Sequence, residues 1–478
     1  MIIVSITGPT MAEALAQMSA SRRYAEMFEL RLDLIAKPDI VGLLTAARKP
    51  VIAACRTKKS GGSFSGSERD RSLLLELSAA FGSNYIDIEL SDKKEFYSGF
   101  LSNRRGGGIL LSHHSDRPPA DVPSLYKRMK RSGADVVKIA YGAEDSSEIR
   151  QAMDFLSLAR KDNQKAIAIA MGEAGEASRV LYRVMGAWGT YASPETGAPA
   201  ASGQIAGSVL KKLYRADKLD PKIRVFGYPL GQSKGVLVHN PLFQSAGSNS
   251  VYCRFPVRNL GAFMKSMGPM MAGFSVTQPH KQAIIKYLKS TDQAASAIGA
   301  VNTVIRKPDG LWGTNTDGQG ALDALESLLK VAEQRVLILG AGGAARAIAF
   351  EARHRGAVVT IANRTNSKAE KLASDLGLEW ITMGSLGKAS FDILVNATSV
   401  GMTPKTENSP VHKTLLKGKT VFDAVYNPPM TRLLMDARDS GSAIVSGVEM
   451  YVNQAAKQSE LYLGRKPLRK RMQRLLGL

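Results

Sequence analysis

The sequence predicts an α/β protein in which an N-terminal (β/α)8 barrel is fused to an α/β substrate domain and a Rossmann-type nucleotide-binding domain. Three observations support this fold class. Short β-rich runs recur every twenty to thirty residues up to about residue 192, a glycine-rich turn follows an apolar strand near residue 335, and 478 residues exceed what one hydrophobic core usually supports. We expect domains at residues 1–215, at 222–318 completed by 448–478, and at 319–447.

The barrel prediction rests on eight runs that alternate with helix-like segments. The runs are IIVSI, MFELRL, VIAAC, YIDIEL, GILLS, ADVVKI, AIAIAM and, weakest, WGTYA. Functional groups of such a barrel lie on the rim where its strands end. The Gly- and Ser-rich loop 60–67 and the loop 193–203 after the eighth run are expected to cover that rim.

The composition predicts a protein of a reducing compartment that carries no metal. Cys55 and Cys253 are the only cysteines and lie far apart, and the six histidines show no zinc-ligand spacing. The start MIIVSI has neither a basic stretch nor a cleavage site, and no apolar run is long enough to span a bilayer. We therefore expect a cytoplasmic protein without a membrane partner, or a plastid protein from which a transit peptide was removed.

The formal charge of +22 raises the alternative of a nucleic-acid-binding protein. Lys and Arg are spread over the whole chain, however, and aromatic residues, at 6%, are too scarce for a base-stacking platform. A solvated positive surface that attracts anionic small molecules is the simpler interpretation. Duplex-DNA binding with a steep salt dependence and no enzymatic activity would support the alternative. Nothing in the sequence fixes an oligomeric state.

An unexpected lysine stands in the sixth run of the barrel. Lys138 lies in ADVVKIA among apolar and β-branched residues, where a charged ammonium is costly. Burial and cationic neighbours lower the pKa of a lysine, and the neutral amine can form a Schiff base with a ketone. The alternative is a structural lysine paired with Glu29 or Glu89.

A general acid or base is the next requirement, because a protonated imine beside an acidic C–H bond is an electron sink. His114, which follows the fifth run, suits this task with Glu89 to orient it, and His113 is the competing candidate. This half of the chain also carries more positive charge than a neutral substrate needs, which indicates a hydroxylated substrate with a carboxylate. The arginines concerned are Arg31, Arg56 and Arg179.

The motifs FELRLD, ACR, DIEL, SHH, VVKIA, MGEAGEASR and SGQ follow one another across the N-terminal half. In order and spacing they resemble those of type I 3-dehydroquinate dehydratase. The resemblance implies that Lys138 forms an imine with 3-dehydroquinate, that His114 is acid and base in the loss of water, and that Glu89 supports the histidine. By the same resemblance, the substrate's hydroxyls and carboxylate are held by Glu29, Arg31, Arg56, Arg179 and Gln204.

Two departures from that family concern the loops. AASGQ stands where SAPGQ is common, which places Ala200 at a usual serine, and the loop after His114 is shorter. We therefore expect altered lid contacts and unaltered imine chemistry.

A nucleotide-binding unit begins near residue 335. VLILGAGGAARAIA combines an apolar strand, a G-x-G-x-x-A turn at Gly340, Gly342 and Ala345, and a helix. This context suits a pyrophosphate, which needs close backbone approach and the donors of a helix N-terminus.

The next strand, in AVVTIANRT, ends without the acidic residue that would bind the ribose of NAD. It offers an arginine instead, which suits the 2′-phosphate of NADP, and an ordinary surface arginine is the alternative. The residues at this position are Asn363, Arg364 and Thr365.

Further motifs flank this unit, with SVTQPHK, IGAVNTV and GTNTDG before it and VNATSVGM, DAVYNPPMT and GVEMYVNQA after it. Together they resemble shikimate dehydrogenase across its whole length. By that resemblance Lys281 relays a proton as NADPH delivers hydride to the ketone of 3-dehydroshikimate, and Asp317 holds Lys281 and a substrate hydroxyl. Taken alone, Lys281 would be read as a surface helix lysine. The matching substrate positions are Ser233, Thr277, Asn302, Tyr426 and Gln454. The matching cofactor positions are Gly340, Ala341, Gly342, Gly343, Ala344, Asn363, Arg364, Thr365, Thr398 and Gly447.

One departure from this second family concerns its first segment, which typically runs H-S-x-S-P. Here QSKGV places Gln232, Gly235 and Val236 at the His, the second Ser and the Pro. A hydroxyl that binds the substrate carboxylate is thereby lost, at a cost of about 1.5 to 3 kcal/mol of binding. We expect weak shikimate binding or a shifted substrate preference.

The two resemblances together predict a bifunctional enzyme that dehydrates 3-dehydroquinate and then reduces the product, in aromatic amino-acid biosynthesis. It would use NADP(H) and a covalent imine on Lys138, without a metal. The alternative within the enzyme class is a dehydratase fused to a quinate/shikimate oxidoreductase of different substrate preference.

Overall fold

The computed structural model describes residues 1–92, 100, 107–228, 235–467, 472, 474 and 475. The chain divides into two compact units, Met1–Val236 with Phe243–Met271 and Leu237–Leu242 with Ala272–Leu478. Within the described residues, no helix is long and apolar enough to cross a membrane. In the same part of the chain, no group of three or more histidine, cysteine or acidic side chains is placed to hold a metal ion.

The first unit is built on an eight-stranded parallel sheet that curls into a barrel. Its strands are β1 (Ile2–Ile6), β2 (Met27–Arg31), β3 (Val51–Ala54), β4 (Tyr85–Glu89), β5 (Gly108–Ser115), β6 (Val136–Gly142), β7 (Lys165–Met171) and β8 (Thr190–Ala192). They lie in the order β7-β6-β5-β4-β3-β2-β1-β8. Near the two ends of this ladder, the Trp188 N–H donates to the Ala166 carbonyl at 2.8 Å. The eight runs predicted from the sequence all form strands, and the predicted barrel is confirmed.

Helices connect these strands, as the alternating pattern predicts. They are α1 (Met11–Ser21), α2 (Ile40–Ala47), α3 (Glu68–Ala80), α4 (Val122–Lys130), α5 (Ile149–Lys161), α6 (Glu176–Val180) and α7 (Gly207–Val209). Two of them begin with a capping box, which is formed by Thr10 and Glu13 at α1 and by Ser67 and Asp70 at α3.

Strand periodicity divides the barrel interior into layers, because side chains two residues apart point to the same face. The layer nearer the strand starts is apolar. It includes Ile3, Met27, Ile52, Leu110, Val136 and Ile167. Two residues further along the same set of strands come buried polar side chains. They are Ser5, Glu29, Asp87, Ser112 and Lys138. The barrel therefore holds charged groups above an apolar floor, towards its C-terminal rim.

The first unit also contains a parallel pair of strands beyond the barrel, β9 (Arg224–Tyr228) and β10 (Ser250–Arg254). Helix α8 (Gly235–Ser245) lies between them in sequence, and α9 (Leu260–Ser266) follows β10. β10 is buried up to Cys253, and Phe255 and Val257 after it are buried as well.

The second unit opens with a small sheet, in which β11 (Met271–Ser275), β13 (Thr303–Lys307), β14 (Gly310–Thr314) and β12 (Ser290–Thr291) lie side by side in that order. β13 runs antiparallel to β11 and β14, whereas β12 is parallel to β14. The helices of this region are α10 (His280–Ala283), α11 (Gln293–Ile298) and α12 (Asp317–Leu325).

A six-stranded parallel sheet completes the second unit. Its strands are β15 (Arg335–Leu339), β16 (Val358–Ala362), β17 (Glu379–Ile381), β18 (Ile393–Asn396), β19 (Thr420–Asp423) and β20 (Ala443–Val445). Their order, β17-β16-β15-β18-β19-β20, is 3-2-1-4-5-6 in sequence terms, the order of a Rossmann fold. The accompanying helices are α13 (Gly343–His354), α14 (Asn366–Leu376), α15 (Arg432–Asp439) and α16 (Gly447–Leu463).

Both faces of this sheet are covered, as the near-continuous apolar strands require. Val336 and Ile338 of β15 belong to a core cluster on one face, and Leu337 and Leu339 to a second cluster on the other. The doubly wound fold predicted from the glycine-rich turn is thereby confirmed.

Helices α12 and α16 approach each other closely at Gly320. A Cβ atom at this position would lie 2.7 Å from the backbone nitrogen of Gln454. The Asn453 side chain donates to the Gly320 carbonyl at 3.3 Å, at the same crossing. Because Asp317 begins α12 and Gln454 lies on α16, this contact sets the spacing of two predicted site residues.

We expect Gly320→Ala to lower the stability of the second unit by about 1 to 3 kcal/mol, because the added methyl group forces the two backbones apart. Calorimetric unfolding of the full chain would show a lower transition temperature. Gly387→Ala is the matched control, because a Cβ there meets nothing within 4 Å. An unchanged transition in Gly320→Ala would show that the helices can separate freely.

Candidate active sites

Lys138 lies at the centre of the barrel, fully enclosed by the strands. Its Nζ donates to Asp87 Oδ2 at 2.7 Å and lies 3.3 Å from the Tyr191 hydroxyl, with its charge 4.5 Å from the centre of that ring. Burial lowers the pKa of Lys138, and Asp87 partly opposes this shift. The lysine is therefore an ion-paired amine whose proton is easier to remove than that of an exposed lysine.

A second cation and a second carboxylate complete a charge-balanced cluster around Lys138. The Arg56 guanidinium lies 3.4 Å from Asp87 Oδ2 and 3.3 Å from Glu29 Oε1, and Lys138 lies 3.6 Å from the same Glu29 oxygen. Serine hydroxyls hold the remaining carboxylate oxygens. Ser112 donates to Asp87 at 2.5 Å and Ser5 donates to Glu29 at 2.7 Å. Buried charges of this kind are tolerated because each one has a partner.

The structure distinguishes the two adjacent histidines. His114 points into the barrel and lines the same cleft as Lys138. The pKa of His113 is lowered by burial and by the charge of Arg128 on α4. Burial, followed by Arg56 and Lys138, holds the pKa of His114 well below 6.5, so its imidazole is neutral at neutral pH. A neutral imidazole beside a lysine can accept a proton.

Glu89 lies behind His114 and does not line the cleft. Its Oε1 is 3.7 Å from His114 Nδ1, longer than a direct hydrogen bond. Burial raises the pKa of Glu89 to about 7. Its backbone N–H donates to Asp92, which is ion-paired with the buried Arg71 at 2.8 Å. Glu89 is thus fixed in place with a proton that it can lose near neutral pH.

The two remaining predicted arginines of the barrel differ in their pairing. Arg31 forms a two-pronged ion pair with Asp33, at 2.9 and 2.7 Å. Arg179 is 1% exposed and donates to the carbonyls of Tyr191 and Ser202, at 3.2 and 3.4 Å. Burial lowers the pKa of Arg179 to about 10. Within the described residues Arg179 has no ion-pair partner, which leaves its charge available to an anion.

These side chains line one cleft, which also includes Ala140, Ile169 and Met171. Gln204 lies at its edge and accepts a hydrogen bond from the Ala200 N–H at 2.9 Å. Ala200, which stands where a serine is usual, therefore lines the cleft and holds the side chain of Gln204 through its backbone N–H.

Sequence reasoning missed Asp87, although a signal was present. Asp87 precedes Glu89 by two residues on a strand, and strand periodicity predicts that both face the barrel interior. Tyr191 was missed because β8 is the shortest and weakest of the eight runs, with only Thr190–Ala192 in the strand.

In the second unit, Lys281 and Asp317 form a direct ion pair and retain 20% and 14% side-chain exposure. Asn302 holds the other Asp317 oxygen, with Nδ2 donating to Oδ1 at 2.7 Å. Asn302 itself is fixed by Thr316, whose N–H donates to Oδ1 at 2.9 Å. The lysine follows β11, the asparagine precedes β13 and the aspartate begins α12, so the fold brings three distant motifs together.

The remaining predicted substrate positions differ in how closely they are linked to Lys281, Asn302 and Asp317. Thr316 Oγ1 donates to the Gln454 carbonyl at 3.4 Å. Tyr426 is 53% exposed, with its ring 5.5 Å from that of Tyr451 on α16. Thr277 lies beside the start of α10, where its carbonyl accepts the N–H of His280. Ser233 and Gln232 lie outside the described residues.

A buried polar network behind the trio escaped the sequence analysis. Gln458 Nε2 donates to the Asn302 carbonyl at 3.3 Å and to Thr303 Oγ1 at 3.0 Å, and its Oε1 accepts from Ser275 at 3.0 Å. The Tyr462 hydroxyl contacts Ser275 at 2.9 Å. Gln458 follows Gln454 by one helical turn, so helical periodicity predicts that both face the same way.

The glycine-rich turn has the geometry that a pyrophosphate requires. Gly340 has a φ of +117°, and a Cβ there would lie 3.0 Å from the Ala397 carbonyl oxygen. At Gly342, which caps α13, a Cβ would meet nothing within 4 Å, so the backbone at the helix start is open to a ligand. Ala341, Gly343 and Ala344 complete the turn, and all three are partly accessible.

At the end of β16 the Asn363 side chain donates to the Thr365 carbonyl at 3.0 Å, and Arg364 is exposed. No ion pair involves Arg364 within the described residues. Thr398 follows β18 and donates to Asn396 at 2.6 Å. Gly447 starts α16 at a place where a Cβ would lie 2.5 Å from the Val425 carbonyl oxygen. All of these positions except Gly447 follow the carboxyl ends of neighbouring parallel strands, where nucleotides bind in this fold.

Comparisons with known families agree with this arrangement along most of the chain. Residues 2–221 match type I 3-dehydroquinase, residues 225–304 match the shikimate dehydrogenase substrate binding domain, and residues 323–423 match shikimate/quinate 5-dehydrogenase.

Three individual proteins illustrate the similarity. A bifunctional 3-dehydroquinate dehydratase/shikimate dehydrogenase of Arabidopsis thaliana, described as chloroplastic, is 35% identical over 96% of this chain and 82% of its own length. A shikimate dehydrogenase (NADP(+)) of Shouchella clausii is 40% identical over 53% of this chain and 97% of its own length. A shikimate dehydrogenase solved in complex with NADP+ is 33% identical, with a TM-score of 0.51, over 54% of this chain and 96% of its own.

The barrel with its buried lysine and the doubly wound sheet with its glycine-rich turn define a lyase joined to a nicotinamide-nucleotide oxidoreductase. The similarity along nearly the whole chain makes the assignment more specific. The chain belongs to the family of bifunctional 3-dehydroquinate dehydratase/shikimate dehydrogenases.

The raised pKa of Glu89 predicts how stability changes with pH. The folded state retains a proton on Glu89 up to about pH 7, whereas an unfolded Glu loses it near 4.3, so stability falls as pH rises through this window. Glu89→Gln should remove this loss. Urea unfolding at pH 5 and pH 8 should show the variant gaining about 2 to 3 kcal/mol relative to wild type at the higher pH.

The control for this measurement is Glu370→Gln, which changes an exposed carboxylate on α14. A difference between wild type and Glu89→Gln that is the same at both pH values would mean that Glu89 is not protonated at neutral pH.

Proposed function

We propose that the barrel converts 3-dehydroquinate to 3-dehydroshikimate through an imine on Lys138, and that the second unit reduces 3-dehydroshikimate to shikimate with NADPH. The observation that carries the first activity is the buried Lys138, paired with Asp87 above an apolar floor and facing His114. The contact between Lys281 and Asp317 carries the second. Family membership supports the choice of substrates.

The barrel residues have three tasks in the dehydration: to form the imine, to balance its positive charge and to transfer a proton. Lys138 loses a proton, adds to the ketone and releases one water to give a protonated imine, while Asp87 and Glu29 balance the positive charge that remains. Neutral His114 then takes the acidic C–H proton beside the imine, and the electron pair moves into the imine to form an enamine. Protonated His114 gives that proton to the departing hydroxyl, which leaves as water. A water molecule hydrolyses the imine, so the net change is the loss of one water.

Substrate orientation comes from the groups around the lysine. Arg179, whose charge is not paired within the described residues, binds the substrate carboxylate. The remaining substrate-binding groups are Glu29, Arg31, Arg56 and Gln204. Arg31 and Arg56 already have acidic partners, so their part is to position hydroxyl groups and not to neutralise the carboxylate.

In the second unit the proton and the hydride reach the same carbonyl from different sources. Lys281 donates a proton to the carbonyl oxygen as it becomes an alkoxide, and Asp317 with Asn302 fixes the lysine and a neighbouring hydroxyl. Thr277, Tyr426, Gln454 and Ser233 surround the substrate in this proposal. Reduction of the ketone adds one hydride and one proton.

NADPH supplies the hydride when it is bound. The residues proposed to hold it are Gly340, Ala341, Gly342, Gly343 and Ala344 at the pyrophosphate, Asn363, Arg364 and Thr365 at the 2′-phosphate, and Thr398 and Gly447 beside the nicotinamide. The open backbone at Gly342 supports this assignment, as does the exposed Arg364, which has no ion-pair partner in the part of the chain that the structure describes.

A quinate/shikimate oxidoreductase is the second candidate for this unit. It is favoured by Gly235, which offers no hydroxyl at the start of α8, and by the family model for residues 323–423, which covers quinate as well as shikimate. Turnover of quinate and shikimate by the same preparation separates the two functions. For the setting, we propose small anionic substrates and a cytoplasmic location; the relative from Arabidopsis thaliana is described as chloroplastic.

The imine predicts a covalent adduct on one lysine. Borohydride reduction in the presence of 3-dehydroquinate should add the mass of the reduced adduct to the intact protein, and Lys138→Ala should abolish this gain. Lys165→Ala, at an exposed lysine on the neighbouring strand β7, is the matched control and should label normally. A ligand-dependent gain that persists in Lys138→Ala would assign the chemistry to another amine.

The proton relay predicts a loss of turnover without a loss of cofactor binding. Lys281→Met should lower the kcat for shikimate by about 10²- to 10⁴-fold, the usual contribution of a general acid or base. NADPH binding, followed by fluorescence, and the dehydratase activity should stay at wild-type values. Lys286→Met, at an exposed lysine five residues further on, serves as control, and a near-normal kcat in Lys281→Met would assign the proton transfer elsewhere.

A further inference from the structure

A short segment of the dehydrogenase sequence lies against the rim of the dehydratase barrel. Residues 254–259 fall within the match to the shikimate dehydrogenase substrate binding domain, residues 225–304. In the structure they belong to the same compact unit as the barrel, which includes Phe243–Met271. This segment, residues 254–259, is called the rim segment below.

The rim segment is hydrogen-bonded to the loop that follows β6, the strand of Lys138. Asp145 Oδ2 accepts the backbone N–H groups of Arg258 and Asn259, at 2.5 and 2.9 Å. The Ser146 N–H donates to the Pro256 carbonyl at 2.9 Å. Three backbone groups of the rim segment therefore fix the loop that follows β6.

The rim segment also reaches helix α6, which carries Arg179. Glu176 begins this helix, and its Oε2 lies 3.7 Å from Arg254 Nη1 while its Oε1 accepts from the Tyr214 hydroxyl at 2.8 Å. The Glu176 side chain is only 12% exposed. Within the described residues, Arg254 is its one ion-pair partner.

Glu176 has a second cation within reach. Arg179 follows it by three residues on α6, which places the two side chains on the same side of the helix, and the charge of Glu176 raises the pKa of Arg179 against the effect of burial. A buried carboxylate that loses its partner turns to the nearest remaining cation, because an unpaired buried charge is costly.

We infer that Arg254 is a positioning residue of the dehydratase: by pairing with Glu176 it keeps that carboxylate away from Arg179 and leaves Arg179 free for the substrate carboxylate. A side chain from the dehydrogenase sequence thus tunes substrate binding in the barrel. This inference rests on the role proposed above for Arg179.

The test is steady-state kinetics of both activities in the full-length enzyme. Arg254→Met should raise the dehydratase KM for 3-dehydroquinate roughly tenfold, as expected for weakened binding of a charged group, with kcat nearly unchanged. Arg254→Lys should restore the KM. Unchanged dehydrogenase constants in the same preparations would report that the variants are folded.

A double variant gives a result that a merely structural role would not produce. Adding Glu176→Gln to Arg254→Met removes the competing charge, so the KM should return towards the wild-type value even though a contact has been lost. Arg258→Met is the matched control, because this arginine of the same segment is 72% exposed and pairs with an 82% exposed Glu144. It should leave the KM unchanged.

Two outcomes would overturn the inference. One is a wild-type KM in Arg254→Met, and the other is a double variant with a KM as high as that of Arg254→Met. Arg179→Met is measured alongside. If it leaves the KM unchanged, the proposed role of Arg179 fails, and this failure is distinguishable because it does not depend on residue 254.

Discussion

The pairing of Lys138 with Asp87 inside the barrel is the constraint on which the rest of the first active site depends. Lys138 is only 2% exposed, so its ammonium group needs a nearby negative partner, and the Asp87 carboxylate lies 2.7 Å from it. A second pair, Arg56 and Glu29, interlocks with the first, and serines saturate the carboxylates. The cluster is neutral while Lys138 is protonated, so loss of that proton leaves one buried carboxylate in excess, and a protonated imine at the same position would restore the balance.

The same arrangement leaves two cleft-lining groups without a counter-charge, His114 and Arg179. The pKa of His114 is lowered first by burial and then by the charges of Arg56, Lys138 and Arg31, so its imidazole is neutral. Arg179 donates to carbonyl oxygens and has no ion-pair partner among the described residues. A ligand with a carboxylate and a ketone would meet a cation at one end and an amine at the other. The distribution of charges within the barrel therefore agrees with the substrate class proposed above.

Much of this could be predicted from the sequence because the period-two pattern of a strand needs no tertiary information. Glu29, His114 and Lys138 were predicted to lie together, and they do. Asp87 was not predicted as a site residue. Glu89, the other acidic residue of YIDIEL, was predicted instead, and its carboxylate lies behind the histidine. Pairing partners such as Ser5 and Ser112 depend on the register between strands, which the sequence of a single strand does not encode.

In the second unit, motifs identified Lys281, Asn302 and Asp317, but not what holds them. In the sequence, Gln458 and Tyr462 look like ordinary residues of an amphipathic helix. Their hydrogen bonds to Ser275, Asn302 and Thr303 follow only from the packing of α16 in the fold. The match at residues 225–304 likewise gave no sign that residues 254–259 border the barrel, since side-chain pairing between remote segments leaves no local pattern.

The two compact units are completed at different times during synthesis of the chain. Every part of the first compact unit has been made once residue 271 has emerged, whereas the second needs α16, which ends at Leu463. Because domains fold as units during synthesis, the barrel can acquire its rim segment before residues 272–463 of the second unit have been made. The dehydrogenase site gains Gln454 and Gln458 only once α16 has been made. A nascent chain would therefore be able to carry out the first reaction before it can carry out the second.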